Sequence, residues 1–140
     1  MRSYPKRANS MSEIFNVEII TPDKLLLTSD AVEVTIPSFE GEMGILKDHV
    51  PLITFLRPGI INIKDGNNEK KYYIEEGIVE FANNNLLVLT SNSKALKDLN
   101  DNFIDNAIQD AEKKLEDKGI NDKEKYLLDY KINTLREIRN

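Results

Sequence analysis

Few side chains in this sequence have the chemistry of a catalytic centre or a metal site. Cysteine is absent and His49 is the single histidine, which excludes disulfides, thiolate chemistry and multi-histidine metal sites. His49 has acidic neighbours, but their spacing matches no standard metal motif. A Ser-His-Asp triad would require a serine held against His49, and no nucleophile-elbow signature surrounds Ser29 or Ser38. The sequence therefore predicts no catalytic residue and no metal site.

The segment from Phe39 to Gly44 is predicted to be a loop. It contains two glycines, but it lacks the G-x-x-x-x-G-K-[ST] pattern, and the carboxylates of Glu40 and Glu42 make it a poor phosphate site. One interpretation is an ordinary surface turn. The other is a contact loop for a partner, because Phe39 and Met43 are apolar where a turn needs no apolar side chain.

The charge distribution excludes several classes of partner. The chain has a net charge of −5, and residues 14–92 contain 12 acidic and 6 basic side chains. Such an acidic body repels a phosphate backbone, so we expect no nucleic-acid partner. No apolar run reaches the roughly 20 residues of a transmembrane helix, and residues 2–10 lack the apolar core of a secretory signal. We expect residues 1–13 to form a disordered tail.

The elements that position these residues are of two kinds, and the first is a set of strands. Residues 14–92 carry short runs in which apolar and polar side chains alternate, as in 15–19 and 79–81. This period of two is typical of strands with one buried face. Turn compositions separate the runs at Pro58-Gly59, Asp65-Gly66 and Asn83-Asn84-Asn85. We therefore predict an antiparallel β-sandwich domain over residues 14–92.

The second kind is helical and occupies residues 93–140. Apolar stripes with a period of 3.6 run along two segments, Ile104, Ala107, Ile108, Ala111 and Leu115, and then Leu128, Ile132, Leu135 and Ile138. We expect Asn100 or Asp101 to cap the first helix and Gly119 to end it. Asn121 or Asp122 then caps the second helix after a connection of at most four residues, so the two helices run antiparallel.

The predicted fold class is therefore α+β, with an N-terminal antiparallel β-sandwich followed by a C-terminal antiparallel αα-hairpin. Two narrow helices bury little surface between them, so the hairpin must lean on the sandwich or bind a partner. The second helix also carries five basic side chains, Lys123, Lys125, Lys131, Arg136 and Arg139. They form either a solvated face or a surface that docks against an acidic partner.

One long motif resembles a known family. The motif reads Gly41-Glu42-Met43-Gly44-Ile45-Leu46, then His49-Val50-Pro51-Leu52-Ile53-Thr54, then Leu56-Arg57-Pro58-Gly59, and a second match follows at residues 77–81 and 86–90. Both are similar to the epsilon subunit of the F-type ATP synthase of bacteria. The similarity spans about residues 14–138, and the helical part matches in architecture more than in letters.

The resemblance implies a non-catalytic subunit of the central stalk, with no cofactor, that links gamma to the c ring and couples proton flow to ATP synthesis. It implies that Glu42, Met43 and Gly44 belong to a loop facing the c ring, with His49 near the same end. It also implies a peripheral location on the cytoplasmic face of the bacterial inner membrane, with membrane contact only through the complex.

The resemblance further implies a hairpin that can extend along gamma towards the alpha and beta catalytic subunits and inhibit ATP hydrolysis. In this chain Lys131, Arg136 and Arg139 are then expected to meet acidic groups on beta. The ATP-binding motif of some members is degenerate here, because Asn100 and Phe103 stand where that motif has an acid and an arginine. We therefore expect weak or absent ATP binding.

One departure from the family motif and two alternative functions stay open from the sequence. Lys47-Asp48 stands where family members often have Pro-Gly before the motif histidine, so the loop is expected to turn differently. Two other classes of function also remain. One is a free-standing β-sandwich that binds a ligand in a deep apolar pocket, and the other is a hydrolase centred on His49.

Overall fold

The computed structural model describes residues 13–140, so the predicted tail lies outside the described residues except for Glu13. Within that range ten strands come first, β1 Phe15–Ile20, β2 Leu25–Ala31, β3 Glu33–Ser38, β4 Gly41–Ile45, β5 Leu52–Leu56, β6 Gly59–Asp65, β7 Asn68–Ile74, β8 Gly77–Ala82, β9 Asn85–Leu89 and β10 Ser93–Ala95. A 3-10 turn, Leu96–Asp98, leads to two helices, α1 Asp101–Leu115 and α2 Asp122–Arg139.

The strands form one sheet that folds over on itself. Its order is β10-β7-β6-β3-β5-β8-β9-β1-β2, and β4 pairs with β3. Strands β1, β6 and β8 turn alternate side chains towards one core, in which Val17, Ile61 and Phe81 are at most 1% exposed. The predicted β-sandwich is confirmed, because burial of every second residue follows from the period of two in the sequence.

One strand pair departs from the predicted antiparallel arrangement. β1 runs parallel to β9, with Asn16 opposite Asn85, whereas every other neighbouring pair is antiparallel. The first strand of the sandwich thus lies beside its ninth strand. No local sequence pattern reports this pairing, because the two strands are separated by most of the domain.

The segment predicted as a loop from Phe39 to Gly44 is mostly a strand, which corrects the sequence interpretation. Only Phe39 and Glu40 form the turn, and β4 then pairs with β3 so that Met43 lies opposite Ile36. Burial alternates along β4, with Met43 packed against the core and Glu42 exposed. The two glycines hid this alternation in the sequence, because a glycine has no side chain to mark a face.

The helices begin where the sequence predicts. Asn100 caps α1 by accepting a hydrogen bond of 2.7 Å from the Phe103 N–H. Asn121 and Glu124 form a reciprocal capping box at the start of α2. The predicted end of α1 was wrong. The helix stops at Leu115, and Gly119 lies in the connecting turn, where its N–H donates to Asp117 Oδ1 at 2.9 Å.

The hairpin leans on the sandwich rather than standing free. A second apolar cluster forms around Tyr73 of β7, Ile104 of α1 and Leu135 of α2, all at most 3% exposed. The sheet also continues past the 92/93 boundary drawn from the sequence, because Ser93–Ala95 pairs with β7. The chain therefore passes from sheet to helices without a free linker.

Candidate interaction surface

The outer face of the sheet carries a continuous apolar row. The strand register places Phe55 of β5 opposite Ile78 of β8, Ile78 opposite Leu89 of β9, and Leu89 beside Ile20 of β1. These four residues are the apolar row. Phe55 is 59% exposed and Leu89 43% exposed. The row continues to Leu25 of β2, which lies opposite Ile20.

A groove runs along this row. It has a volume of about 620 Å³ and is lined by the apolar row together with Phe39, Lys123 and Leu127. Glu76 and Ser91 lie at its polar margin, where the Ser91 hydroxyl and N–H both donate to Glu76 Oε2. Contiguous exposed apolar surface of this kind marks a site where another molecule binds.

The apolar row was missed by the sequence analysis, although a signal was present. Residues 52–56 read Leu-Ile-Thr-Phe-Leu, so both faces of β5 carry apolar side chains. A strand at the surface needs only one apolar face. The second face, formed by Ile53 and Phe55, is 69% and 59% exposed and was the available indication of a binding surface.

The loop from Leu46 to Pro51 contains one residue in the left-handed conformation. Asp48 adopts φ +67°, a left-handed conformation that glycine takes easily and that Asp tolerates. Asn84 holds it there, because Asn84 Oδ1 accepts from the Asp48 N–H at 2.7 Å and Asn84 Nδ2 donates to Asp48 Oδ1 at 3.0 Å. Whether the loop turns differently from the Pro-Gly loop of the family stays a prediction.

Two residues predicted to share one end of the sandwich lie at opposite ends of β4. Glu42 pairs with Pro37 near the Phe39-Glu40 turn, whereas His49 follows the other end of the strand. The His49 ring packs edge-on against Phe81 with centroids 6.0 Å apart, and its Nδ1 lies 2.7 Å from the Val50 carbonyl oxygen. The structure thus separates the two residues along β4, and their sharing of one contact surface stays a prediction.

A cluster of aromatic and cationic side chains fastens α2 to the sandwich. Arg57 donates to the Tyr126 hydroxyl at 3.0 Å, and its guanidinium lies 3.9 Å from the Tyr130 ring centroid. The Tyr126 hydroxyl donates to the Phe39 carbonyl at 3.1 Å, and the rings of Tyr126 and Phe39 stack. These four residues are called the latch below.

The three basic residues expected to meet beta subunits are engaged within the chain. Lys131 lies 3.3 Å from Glu75, whose carboxylate also accepts from the Tyr73 hydroxyl. Burial, with the adjacent Glu75 carboxylate, raises the pKa of Tyr73 far above its usual range. The remaining two bridge the helices, Arg136 to Glu112 and Arg139 to Asp101 and Asp105.

The residues of the degenerate ATP motif have structural contacts. Asn100 caps α1, and Phe103 packs half-buried against the cluster of Tyr73, Ile104 and Leu135. Lys94 Nζ lies 5.3 Å from the Phe103 ring centroid. An aromatic ring at this position contributes apolar packing, whereas the arginine of the motif would offer a guanidinium to phosphate.

The described part of the chain offers no metal centre and no membrane-spanning helix. Within residues 13–140 no three His, Asp or Glu side chains come together in a way that would hold a metal ion. Neither α1 nor α2 is long and apolar enough to cross a membrane. The strongest feature for function is therefore the apolar row with its groove.

Comparison with known proteins agrees with this fold. Residues 14–95 match the family described as "ATP synthase, Delta/Epsilon chain, beta-sandwich domain". The ATP synthase epsilon chain of Pelagibacter ubique is 52% identical over 99 residues, which cover 70% of this chain and 76% of that one.

Two solved structures share the fold. A chain from the mitochondrial ATP synthase of Euglena gracilis, described as OSCP/F1/c-ring in rotational state 1, is 20% identical with a TM-score of 0.74 and covers 89% of this chain and 80% of that one. A chain from the Tetrahymena thermophila mitochondrial ATP synthase, described as central stalk/c-ring, is 16% identical with a TM-score of 0.60 and covers 89% and 96%.

Proposed function

The chain belongs to the family of ATP synthase epsilon chains, and on that premise we propose that it is a non-catalytic rotor subunit that links gamma to the c ring. The observation that carries this proposal is the apolar row, whose members on β5, β8 and β9 are exposed and whose member on β1 is half-buried. Two relatives of the same fold come from assemblies described as F1/c-ring and central stalk/c-ring, which supports partners of this kind.

Gamma docks on the apolar row and its groove. The row supplies a flat apolar face, and burial of such surface on association contributes roughly 25 cal/mol for each Å² removed from water. Ile53, which lies on the same face of β5 as Phe55 and is 69% exposed, extends this apolar face. A rotor contact must transmit torque, so a face on a hydrogen-bonded sheet suits it better than a loop does.

The c ring contacts the end of the sandwich that holds the Phe39-Glu40 turn. Glu40 and Glu42 are exposed there, and Gly44 is exposed on the same strand, with Met43 between them packed on the core. An acidic end of this kind suits a basic loop on the ring. His49 is not part of this contact surface, because it lies at the far end of β4.

The complex would hold the chain at the cytoplasmic face of the bacterial inner membrane, where it couples proton flow to ATP synthesis. The chain reaches the membrane only through the complex. It contributes stiffness and not chemistry, and it uses no cofactor. The departures at Asn100 and Phe103 support weak or absent ATP binding, since neither side chain offers a guanidinium. Calorimetric titration with ATP tests this, and tight binding would contradict it.

The hairpin inhibits ATP hydrolysis when it extends towards the alpha and beta subunits. In that state the three basic residues would leave the carboxylates that they contact within the chain and would pair with acidic groups on beta instead. These residues are Lys131, Arg136 and Arg139. The test is the ATPase activity of the assembled complex that carries Gln at all three positions. Hydrolysis should rise if these contacts inhibit, and unchanged hydrolysis would contradict the inhibitory role.

The docking face is tested by binding to F1 complex from which this subunit has been removed. We expect Ile78→Asp to abolish binding, because it places a charge at the centre of the apolar row. Leu46→Asp is the matched control, since Leu46 is 57% exposed but lies at the loop end and outside the groove. Equal binding by Ile78→Asp and the original chain would refute this docking face.

The two other classes of function lack a comparable observation. A ligand-binding sandwich would need a deep apolar pocket, whereas the 620 Å³ groove lies open along the sheet surface. A hydrolase centred on His49 would need an acid or a serine at its ring, whereas the ring packs against Phe81 and faces the Val50 carbonyl.

A further inference from the structure

We propose that helix α2 forms one wall of the gamma-docking surface while the hairpin is compact. The inference rests on the proposed function and adds a second element to the interface. Leu127 and Lys123 of α2 line the same 620 Å³ groove as the apolar row. The groove is complete only while α2 lies against the sandwich.

The surface continues without a break from sheet to helix. A second groove of about 460 Å³ is lined by Phe39, Ile53, Phe55 and Lys123, and it shares three of these residues with the first. Lys123 Nζ lies 5.9 Å from the Phe39 ring centroid, which brings the first turn of α2 beside the turn between β3 and β4. A partner seated on the row would therefore touch α2 as well.

The chemistry of the groove specifies the segment of gamma that fits it. The walls are aliphatic and aromatic, and the carboxylate of Glu76 stands at the margin of the first groove. The matching surface is an apolar ridge flanked by basic side chains. Such a ridge would bury its apolar groups between Leu127 and Leu89 and keep its charges at the rim.

The latch connects this wall to the hairpin's position. Tyr126 immediately precedes Leu127 and is held by Arg57 and by the Phe39 carbonyl. Extension of the hairpin breaks these contacts and removes Leu127 and Lys123 from the groove. The latch therefore holds this wall of the groove in place.

Binding of full-length variants to F1 complex that lacks this subunit tests the inference. Leu127→Asp should weaken binding about tenfold, which corresponds to the loss of one buried apolar contact of about 1.4 kcal/mol. Lys125→Asp is the matched control, because it introduces the same residue on the same helix at an exposed position outside both grooves. It should leave the affinity within twofold.

The outcomes separate this inference from the proposed function. If Ile78→Asp abolishes binding while Leu127→Asp binds normally, the sandwich docks gamma and the inference about α2 is wrong. If Ile78→Asp also binds normally, the docking face itself is wrong. If Leu127→Asp and Lys125→Asp weaken binding equally, the effect comes from charge alone and the inference fails.

Hydrogen exchange provides a second measurement that does not depend on substitutions. Binding to F1 should slow exchange of the α2 amides over residues 126–130 at least about fivefold. The reference is α1, which lines neither groove. Unchanged or faster exchange over residues 126–130 in the bound chain would overturn the proposal, because it would mean that gamma does not hold the compact hairpin.

Discussion

The sandwich and the hairpin bury their apolar side chains in different ways. The sandwich has a core of fifteen buried residues, all supplied by its own strands. The buried residues of the hairpin cluster are three, and one of them, Tyr73, belongs to strand β7 of the sandwich. The hairpin therefore has no complete core of its own. We expect the sandwich to be stable without the hairpin, whereas the hairpin combines contacts between its own helices with contacts to the sandwich.

The contacts between the two regions also differ in kind from the sandwich core. The latch consists of a guanidinium, three aromatic rings and a backbone carbonyl, and Lys131 adds an ion pair with Glu75. When polar contacts of this type break, water replaces them at a moderate cost in free energy. Apolar core side chains that separate gain no such replacement from water. The latch thus adds polar contacts to the apolar cluster around Tyr73, which also joins the two regions.

The largest expected loss of stability comes from a substitution in the sandwich core, and it can be compared with one in the hairpin cluster. We expect Phe81→Ala to lower the free energy of unfolding by about 3–5 kcal/mol and to speed amide exchange throughout the chain, because it opens a cavity in the sandwich. Leu135→Ala should cost about 2–4 kcal/mol, but its effect should be confined to α1 and α2. Urea unfolding and hydrogen exchange measure both. Faster exchange of sandwich amides in Leu135→Ala would show that the regions are one cooperative unit.

The next effect concerns the latch. Arg57→Ala removes the hydrogen bond to Tyr126 and the cation–π contact with Tyr130, so we expect hairpin docking to weaken by about 1–3 kcal/mol. Amide exchange over α2 should become faster while the sandwich is unchanged. Lys64→Ala is the control, because Lys64 makes only exposed ion pairs on β6. Equal exchange of α2 in the two variants would contradict a role for the latch.

Alkaline pH should weaken the hairpin through Tyr73. Burial beside Glu75 raises the pKa of its phenol in the folded chain, whereas in the unfolded chain the pKa is about 10. The stabilisation is therefore fully present below about pH 10 and is lost as the pH rises above it. Tyr73→Phe should cost about 1 kcal/mol at neutral pH and should flatten the alkaline loss of stability.

Unfolding measured between pH 8 and pH 11 checks this dependence. Tyr72→Phe serves as the control, because burial, with a lesser contribution from Asp98, also raises the pKa of Tyr72, yet Tyr72 lies outside the hairpin cluster. A steep alkaline loss that persists in Tyr73→Phe would assign the effect to another group.

The smallest effect is expected at the outer edge of the hairpin. Arg136 and Glu112 form an ion pair with side chains 56% and 46% exposed, so Arg136→Gln should change stability by less than about 1 kcal/mol. The difference should vanish at high salt. Lys131→Gln should cost more, because that pair is only 19% and 30% exposed. A larger effect for Arg136 than for Lys131 in thermal unfolding would reverse this order.

The sequence predicted the two regions because their periodicities differ. Phe15, Val17 and Ile19 alternate with polar residues and are buried. The apolar stripes of the two helices, which include Ile104 and Leu135, face the cluster around Tyr73. Caps at Asn100 and Asn121 were also predictable, since their side chains act on neighbouring backbone within three residues.

The remaining features depend on contacts that are distant along the chain. The apolar row exists only because β5, β8 and β9 pair in one register, and the latch joins Arg57 to a tyrosine 69 residues away. The sequence of Gly41–Ile45 was sufficient to identify the family motif but not to predict a strand, because its glycines conceal the alternation of apolar and polar side chains. The end of α1 was misplaced because Asp117, and not Gly119, shapes the turn.

The parallel pairing of β1 with β9 has a consequence for synthesis of the chain. Strand β1 gains its second neighbour only after β9 has been made, because Asn16 pairs with Asn85. The sheet therefore cannot be completed until most of the domain has left the ribosome. The helices are made after the strands and depend on Tyr73 and Arg57 being already in position. Synthesis in this order gives the nascent chain a finished platform before its helices arrive, which limits the time that their apolar stripes spend exposed to other chains.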